Sequence, residues 1–164
     1  MSIPKINKIK IETLPPMIVG CCRVTSHNPE HDSIDILRDW LIKQNLMNST
    51  VRIFGFDVES SSISMQDGKR TYETWAPIPA DIQSSNGIEI KEFKGGLYAT
   101  ILLYKPFDDQ FIKIPLGWKI LHEWVIQNER YLGGQHQWLE EVLIKEQGDD
   151  LKLYHTVRAR FSIS

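Results

Sequence analysis

Trp138-Leu139-Glu140-Glu141-Val142-Leu143-Ile144 alternates as a β-strand does. One face carries Trp138, Glu140, Val142 and Ile144 and the other Leu139, Glu141 and Leu143, because successive strand side chains point to opposite sides. Both faces are apolar apart from a single carboxylate, so alternation alone leaves open which acid points inward. An acid on a greasy, partly aromatic face suits a pocket for apolar or cationic organic molecules. Low local dielectric strengthens its pull on a cation, and aromatic rings add cation–π contacts.

Before this strand, Ile88–Phe93 and Leu97–Tyr104 read as strands, and Pro115–Gln127 reads as a helix with Ile114, Trp118, Leu121, His122 and Val125 on one face. After it, Leu151–Ile163 pairs back across Gln147-Gly148-Asp149-Asp150. The first half has the same order, opening on extended chain in which Ile9 and Ile11 alternate with polar neighbours before Pro15-Pro16. Met17–Val24 is a strand, Asn28-Pro29 caps and opens a helix with a stripe of Ile34, Leu37 and Leu41, and Val51–Val58 and Arg70–Ile78 are strands around a polar Ser60–Gly68 loop. Each helix ends near a tryptophan, Trp40 and Trp124. The order predicts an α+β fold. It is a duplicated βαββ module (about 5–80 and 87–164) in one domain over 1–164, with a curved antiparallel sheet, two main helices and a central cleft between the repeats.

Composition bounds the function. With 19 Lys plus Arg against 21 Asp plus Glu, net charge −2 and no basic run, nucleic acid is not expected as a direct partner. No apolar run is long enough to span a bilayer and Met1–Lys10 lacks a secretion signal, so no membrane partner and a cytoplasmic location are expected. Cys21 and Cys22 are adjacent, point to opposite faces and read as buried thiols. The five histidines show no metal-ligand spacing, and no nucleophile elbow, Walker or dinucleotide pattern appears, so neither a metal nor a cofactor is expected.

Four further residues are candidates for a ligand site. Tyr72-Glu73-Thr74-Trp75 puts Glu73 beside Trp75 on one strand face, and Trp75 reads equally as core. Gly95-Gly96-Leu97-Tyr98 starts a strand with a bend and offers the Tyr98 hydroxyl, either to a ligand or to one internal hydrogen bond. His155 lies with Leu153 and Val157 on an apolar face, as a cleft residue or a satisfied core histidine.

Taken in order, Met17-Ile18-Val19-Gly20, Tyr72–Trp75, Gly95-Gly96-Leu97-Tyr98-Ala99-Thr100, Trp118–Val125 and Leu139-Glu140-Glu141-Val142-Leu143 resemble the GyrI-like small-molecule-binding family over nearly the whole chain. The family includes effector-binding domains of multidrug-responsive bacterial transcription regulators. The resemblance implies a duplicated βαββ fold with a ligand cleft, and a pocket glutamate in a Glu-x-Tyr-Leu strand. Here Gly95, Gly96, Tyr98 and Ala99 match the glycine-rich strand start, and Leu121 and Trp124 match the helix. Glu140 takes the glutamate position, with Val142 where the family has tyrosine and Glu141 as the alternative frame.

The resemblance further implies a standalone member without a DNA-reading arm. Together with the strand-face readings above, it is expected to sense or sequester apolar, often cationic compounds through Glu140, Glu73, Trp75, Tyr98, Trp138, Val142 and His155. The other readings are a cofactor-free hydrolase of strained-ring genotoxic compounds, using Glu140 with Glu73, and a gyrase-protecting protein whose partner the sequence does not name. No catalytic residue is firmly assigned.

Overall fold

The computed structural model describes residues 3–58 and 68–161. In chain order the elements are β1 (Lys5–Ile6), β2 (Lys10–Leu14), β3 (Met17–Ser26), α1 (Pro29–Lys43), β4 (Ile53–Val58), β5 (Arg70–Pro77), β6 (Glu89–Phe93) and β7 (Gly96–Tyr104). A short 3-10 turn, Pro106–Asp109, leads into α2 (Gln110–Gln127), followed by β8 (Tyr131–Gly133), β9 (Leu139–Leu143) and β10 (Asp150–Ala159). The fold is α+β, with antiparallel pairing and two main helices, as the sequence predicts. The chain divides into two compact units, Pro16–Lys94, and Met1–Pro15 with Gly95–Ser164.

In the Pro16–Lys94 unit, β5 pairs with β4 and β3, and β3 pairs with β6. Leu37, Trp40 and Leu41 of α1 form the buried stripe and pack on Cys22, Ile53, Ala76 and Ile88, all on one face of the sheet. The Trp40 indole donates to Ser85 Oγ at 3.0 Å, satisfying the one polar atom that this stripe buries. Pro29 opens the helix as expected, but the Asn28 side chain makes no capping bond. Ser26 ties the helix start down instead: its hydroxyl donates to Asp32 Oδ2 at 2.7 Å and accepts the Asn28 N–H at 3.3 Å.

The other unit repeats this plan. β10 pairs with β7 and β9, β7 pairs with β2, and α2 packs Leu121 and Val125 on Ala99, Ile101, Leu103, Leu151, Leu153 and Val157. The opening strands of each sequence repeat therefore pair away from their own repeat: β1 and β2 lie on β7, and β6 lies on β3. That exchange is why the compact units do not coincide with the repeats 5–80 and 87–164.

Three element boundaries differ from expectation. Helix α2 begins at Gln110 and contains Pro115. So near the helix start a proline removes only one backbone bond, and the preceding 3-10 turn feeds into the helix. The strand expected over Gln135–Lys145 is confined to Leu139–Leu143, because residues 135–138 bulge out between β8 and β9, which otherwise line the same partner, β10. β10 runs over Asp150–Ala159, short of Ile163, which lies outside the described residues. The expected Ser60–Gly68 loop, Gly68 apart, lies outside them too.

Candidate functional site

Residues paired across an antiparallel ladder share a face, so the registers sort every candidate. In the unit built on β7 and β10, the pairs Leu153–Glu140, Leu151–Val142 and His155–Ala99 lie on the side covered by α2. The pairs Lys152–Glu141, Tyr154–Leu139, Tyr154–Thr100, Thr156–Tyr98 and Tyr98–Glu12 lie on the opposite side. The face bearing Trp138, Glu140 and Val142 is greasy because it packs against a helix. Val142 joins the core there, and Glu140 is half-buried at its margin.

The acid bonded by an aromatic hydroxyl is Glu141, only 4% exposed. Tyr154 donates its hydroxyl to Glu141 Oε1 at 2.5 Å, and the Tyr98 ring meets the Tyr154 ring edge-on with centres 5.5 Å apart. Lys152, directly across from Glu141, reaches Glu12 at 2.8 Å, and its ammonium lies 5.1 Å from the Tyr154 ring centre. Burial pushes the Glu12 carboxyl up, but hydrogen bonds from Lys152 and Thr100 and the charges of Lys152 and Lys10 outweigh it, leaving Glu12 below its usual value. Sequence reasoning did not single out Tyr154, Lys152 or Glu12. Lys152, Tyr154 and Thr156 share one face of β10, which is the local signal for the first two; Glu12 lies on β2 and had none.

The Tyr98 hydroxyl takes one of the two roles open to it. It is buried, its pKa is pushed up by burial, and it donates to the Gln137 carbonyl at 2.5 Å. The bulge that carries Gln137 is fixed on this side by His136, whose Nε2 lies 2.8 Å from the Leu97 carbonyl and whose ring meets Tyr98 edge-on. Gly95 has φ +79, which the turn into β7 requires, and Gly96 lets the His136 ring lie against the backbone. On the helix side the same bulge places Trp138 with its ring centre 4.0 Å from that of His155 and 5.3 Å from that of Trp118. His155 is a buried histidine with both nitrogens engaged, by Thr156 O and by His122.

In the Pro16–Lys94 unit, Glu73, Trp75, Phe54, Phe56, Cys21 and Arg23 share the face away from α1. Glu73 is 1% exposed and closely held: Arg23 Nε at 2.9 Å, Lys91 Nζ at 3.1 Å and the Trp75 indole N–H at 2.5 Å. Burial alone would raise its pKa, but the donors Trp75, Lys91 and Arg23, with the Lys91 charge, bring it below the usual carboxylate value. Trp75 packs edge-on to Phe56 at 5.0 Å and against Phe93 at 5.3 Å. Cys21 and Cys22 are buried and free, and burial next to Glu73 pushes the Cys21 thiol up to about 12.

Among the described residues no group of three or more His, Cys, Asp or Glu is placed to hold a metal ion, and no helix is long and apolar enough to cross a membrane.

The fold is shared with several solved structures. EcmrR in its DNA complex matches with TM-score 0.70 at 13% identity, covering 92% of this chain and 57% of that one. The isolated EcmrR C-terminal domain matches with TM-score 0.67 at 13% identity, over 92% and 97% of the two chains. SAV2435, solved bound to tetraphenylphosphonium, gives 0.54 at 11% identity, over 93% and 94%. A hydrolase from Listeria innocua gives 0.58 at 9% identity, over 92% of each chain. The chain thus spans little more than half of EcmrR as seen on DNA. No curated protein matches by sequence. The model of one family, the GyrI-like small molecule binding domain, matches residues 7–137, ending just before β9 and its two glutamates. The match covers most of the chain and agrees with the antiparallel α+β units, and the chain belongs to the GyrI-like small molecule binding domain family.

Proposed function

We propose that this chain binds apolar organic cations on the polar, aromatic face of β7, β9 and β10, with Glu141 as the anionic anchor and Tyr154 and Tyr98 as its walls. The observation that carries this is a carboxylate 4% exposed and bonded by a tyrosine hydroxyl. Removal from water makes such a charge a stronger partner for a desolvated cation than a surface acid is, and the tyrosine rings add cation–π attraction. The tetraphenylphosphonium bound to SAV2435, a large apolar cation on the same fold, supports the reading.

On their own unit Glu73 and Trp75 offer aromatic surface more than charge, because Arg23 and Lys91 already neutralise Glu73. Glu140, Val142, Trp138 and His155 act from the helix side as supports of β9 and the bulge. The binding role is sensing or sequestration of drug-like compounds in the cytoplasm. A two-acid hydrolase is less well supported, since Glu73, held ionised by its donors, is poorly placed to supply a proton.

Calorimetric titration with tetraphenylphosphonium and with neutral triphenylphosphine oxide tests the anchor. Glu141→Gln is expected to weaken the cation by roughly tenfold or more, about 1.4 kcal/mol, and to leave the neutral compound nearly unchanged. Glu140→Gln should behave as wild type. Equal loss of both compounds in Glu141→Gln would remove the anchor role, and a selective loss in Glu140→Gln would transfer it to Glu140.

A further inference from the structure

On the helix side of β10, His155 Nδ1 lies 2.8 Å from the Thr156 carbonyl, which can only accept. So Nδ1 carries the proton, and Nε2 of neutral His155 is left with a lone pair. That lone pair faces His122 Nδ1 at 2.8 Å, making His122 the donor. The ring centres are 5.1 Å apart, as expected when both nitrogens lie on the line between them, so the rings meet head-on through one shared proton. His155 is 2% exposed, whereas His122 is exposed on α2. The Trp138 ring covers His155 at 4.0 Å and lies 6.1 Å from His122.

Trp138 and Gln137 are neighbours in the same bulge, and the Gln137 carbonyl holds the Tyr98 hydroxyl on the other side of the sheet. The bulge therefore joins the histidine pair to the face bearing Glu141. We propose that His122, His155 and Trp138 form a proton-controlled latch on residues 135–138, which when closed keeps Tyr98 engaged with Gln137 and so withholds it from a ligand. The link to ligand binding rests on the Glu141 reading above; the latch itself does not.

One proton between the rings makes a bond. A further proton taken up at His122 Nε2 leaves that bond in place; only one placed on His155 Nε2 sets N–H against N–H at 2.8 Å, and then the pair must part. Burial, the largest influence, and the neighbouring His122 both oppose charge on His155, while the Thr156 carbonyl favours it; the net effect lowers its pKa, so the closed form takes up fewer protons. The other groups around His155 are Ala99 from β7, Trp138 from the bulge, and Leu153 and Val157 along β10. Glu140 is the carboxylate of β9 on this face. His136 can donate through Nε2 whether or not it is charged, so acid leaves the contact with Leu97 intact and loosens only the Gln137–Trp138 end.

Trp138 supplies the readout. The difference in emission between wild type and Trp138→Phe isolates it from the other tryptophans. From pH 7.5 to 5 that difference should change in wild type and stay flat in a His155→Phe background, where a ring still stacks but no proton is shared. As pH falls from 6.5, the ordinary histidine value, to 5.5 the affinity for tetraphenylphosphonium should strengthen by up to about tenfold per pH unit for one coupled proton, and lose this dependence in His155→Phe. A flat Trp138 signal in wild type, or an unchanged profile in His155→Phe, overturns the latch. Binding that weakens or stays constant in acid overturns its link to the ligand face. No binding at any pH, with a titrating Trp138, overturns the Glu141 site and supports the latch.

Discussion

Tyr154 donates its hydroxyl to Glu141 across 2.5 Å, and Trp75 donates its indole N–H to Glu73 at the same distance. The two aromatic residues occupy equivalent places. Tyr154 pairs with Thr100 and Leu139 as Trp75 pairs with Cys21 and Phe54. One step along, Lys152 stands where Glu73 does, and Glu12 where Lys91 does, so the ion pair of one unit appears in the other with its charges exchanged. The acid beside the aromatic donor consequently comes from the same strand in one unit and from the neighbouring strand in the other.

Tyr154→Phe removes the donor and leaves a buried carboxylate oxygen without that bond. Hydrogen bonds to charged groups contribute about 1.5 to 3 kcal/mol, and a destabilisation of about that size is expected in urea denaturation at pH 7. In the Glu141→Gln background the same change should cost less, because the acceptor is no longer charged. Equal costs in the two backgrounds would show that the hydroxyl acts through packing alone.

Glu73 is expected to contribute to the acid limb of stability, alongside Glu12 and Asp150, whose pKa values are also lowered. Its folded pKa lies below the ordinary glutamate value of 4.5, so its contribution is fully present above the unfolded pKa and is lost as pH falls through the lower folded value. Glu73→Gln should therefore flatten the fall in stability below about pH 4.5 and leave Arg23 and Lys91 facing each other without their shared anion. Urea midpoints measured from pH 3 to 7 check this. An acid limb as steep as that of wild type would mean that other carboxylates govern it.

The repeat of strand, helix and two strands was legible because hydrophobic periodicity is local: the Ile34–Leu37–Leu41 stripe and the apolar run Leu97–Tyr104 need no knowledge of their partners. The exchange of β2 and β6 was not, since pairing partners are set by long-range packing. Alternation correctly grouped Trp138, Glu140 and Val142, but it carries no sign, and the helix claimed that face. What decides between Glu140 and Glu141 is where α2 packs. The charge exchange had no local signature either, as Lys152 and Glu12 lie at opposite ends of the chain.

Gly96 tests the bulge from its other side. A Cβ there would lie 2.6 Å from His136 Cδ2 and 2.7 Å from its Nε2, the atom that bonds the Leu97 carbonyl. Backbone strain is not involved, because Gly96 has no positive φ; the constraint is the ring alone. Gly96→Ala must expel or tilt that ring, at about 1 to 3 kcal/mol for overpacking with about 1 kcal/mol more for the lost hydrogen bond. Gly133→Ala provides the comparison in the strand leading to the bulge, since a Cβ there meets nothing within 4 Å, and it should stay within about 0.5 kcal/mol of wild type. Because His136 also touches Tyr98, Gly96→Ala is expected to speed tetraphenylphosphonium association even as it lowers stability. Stopped-flow binding set beside urea denaturation separates the two effects: lower stability with an unchanged association rate would show that the bulge does not limit access to Tyr98.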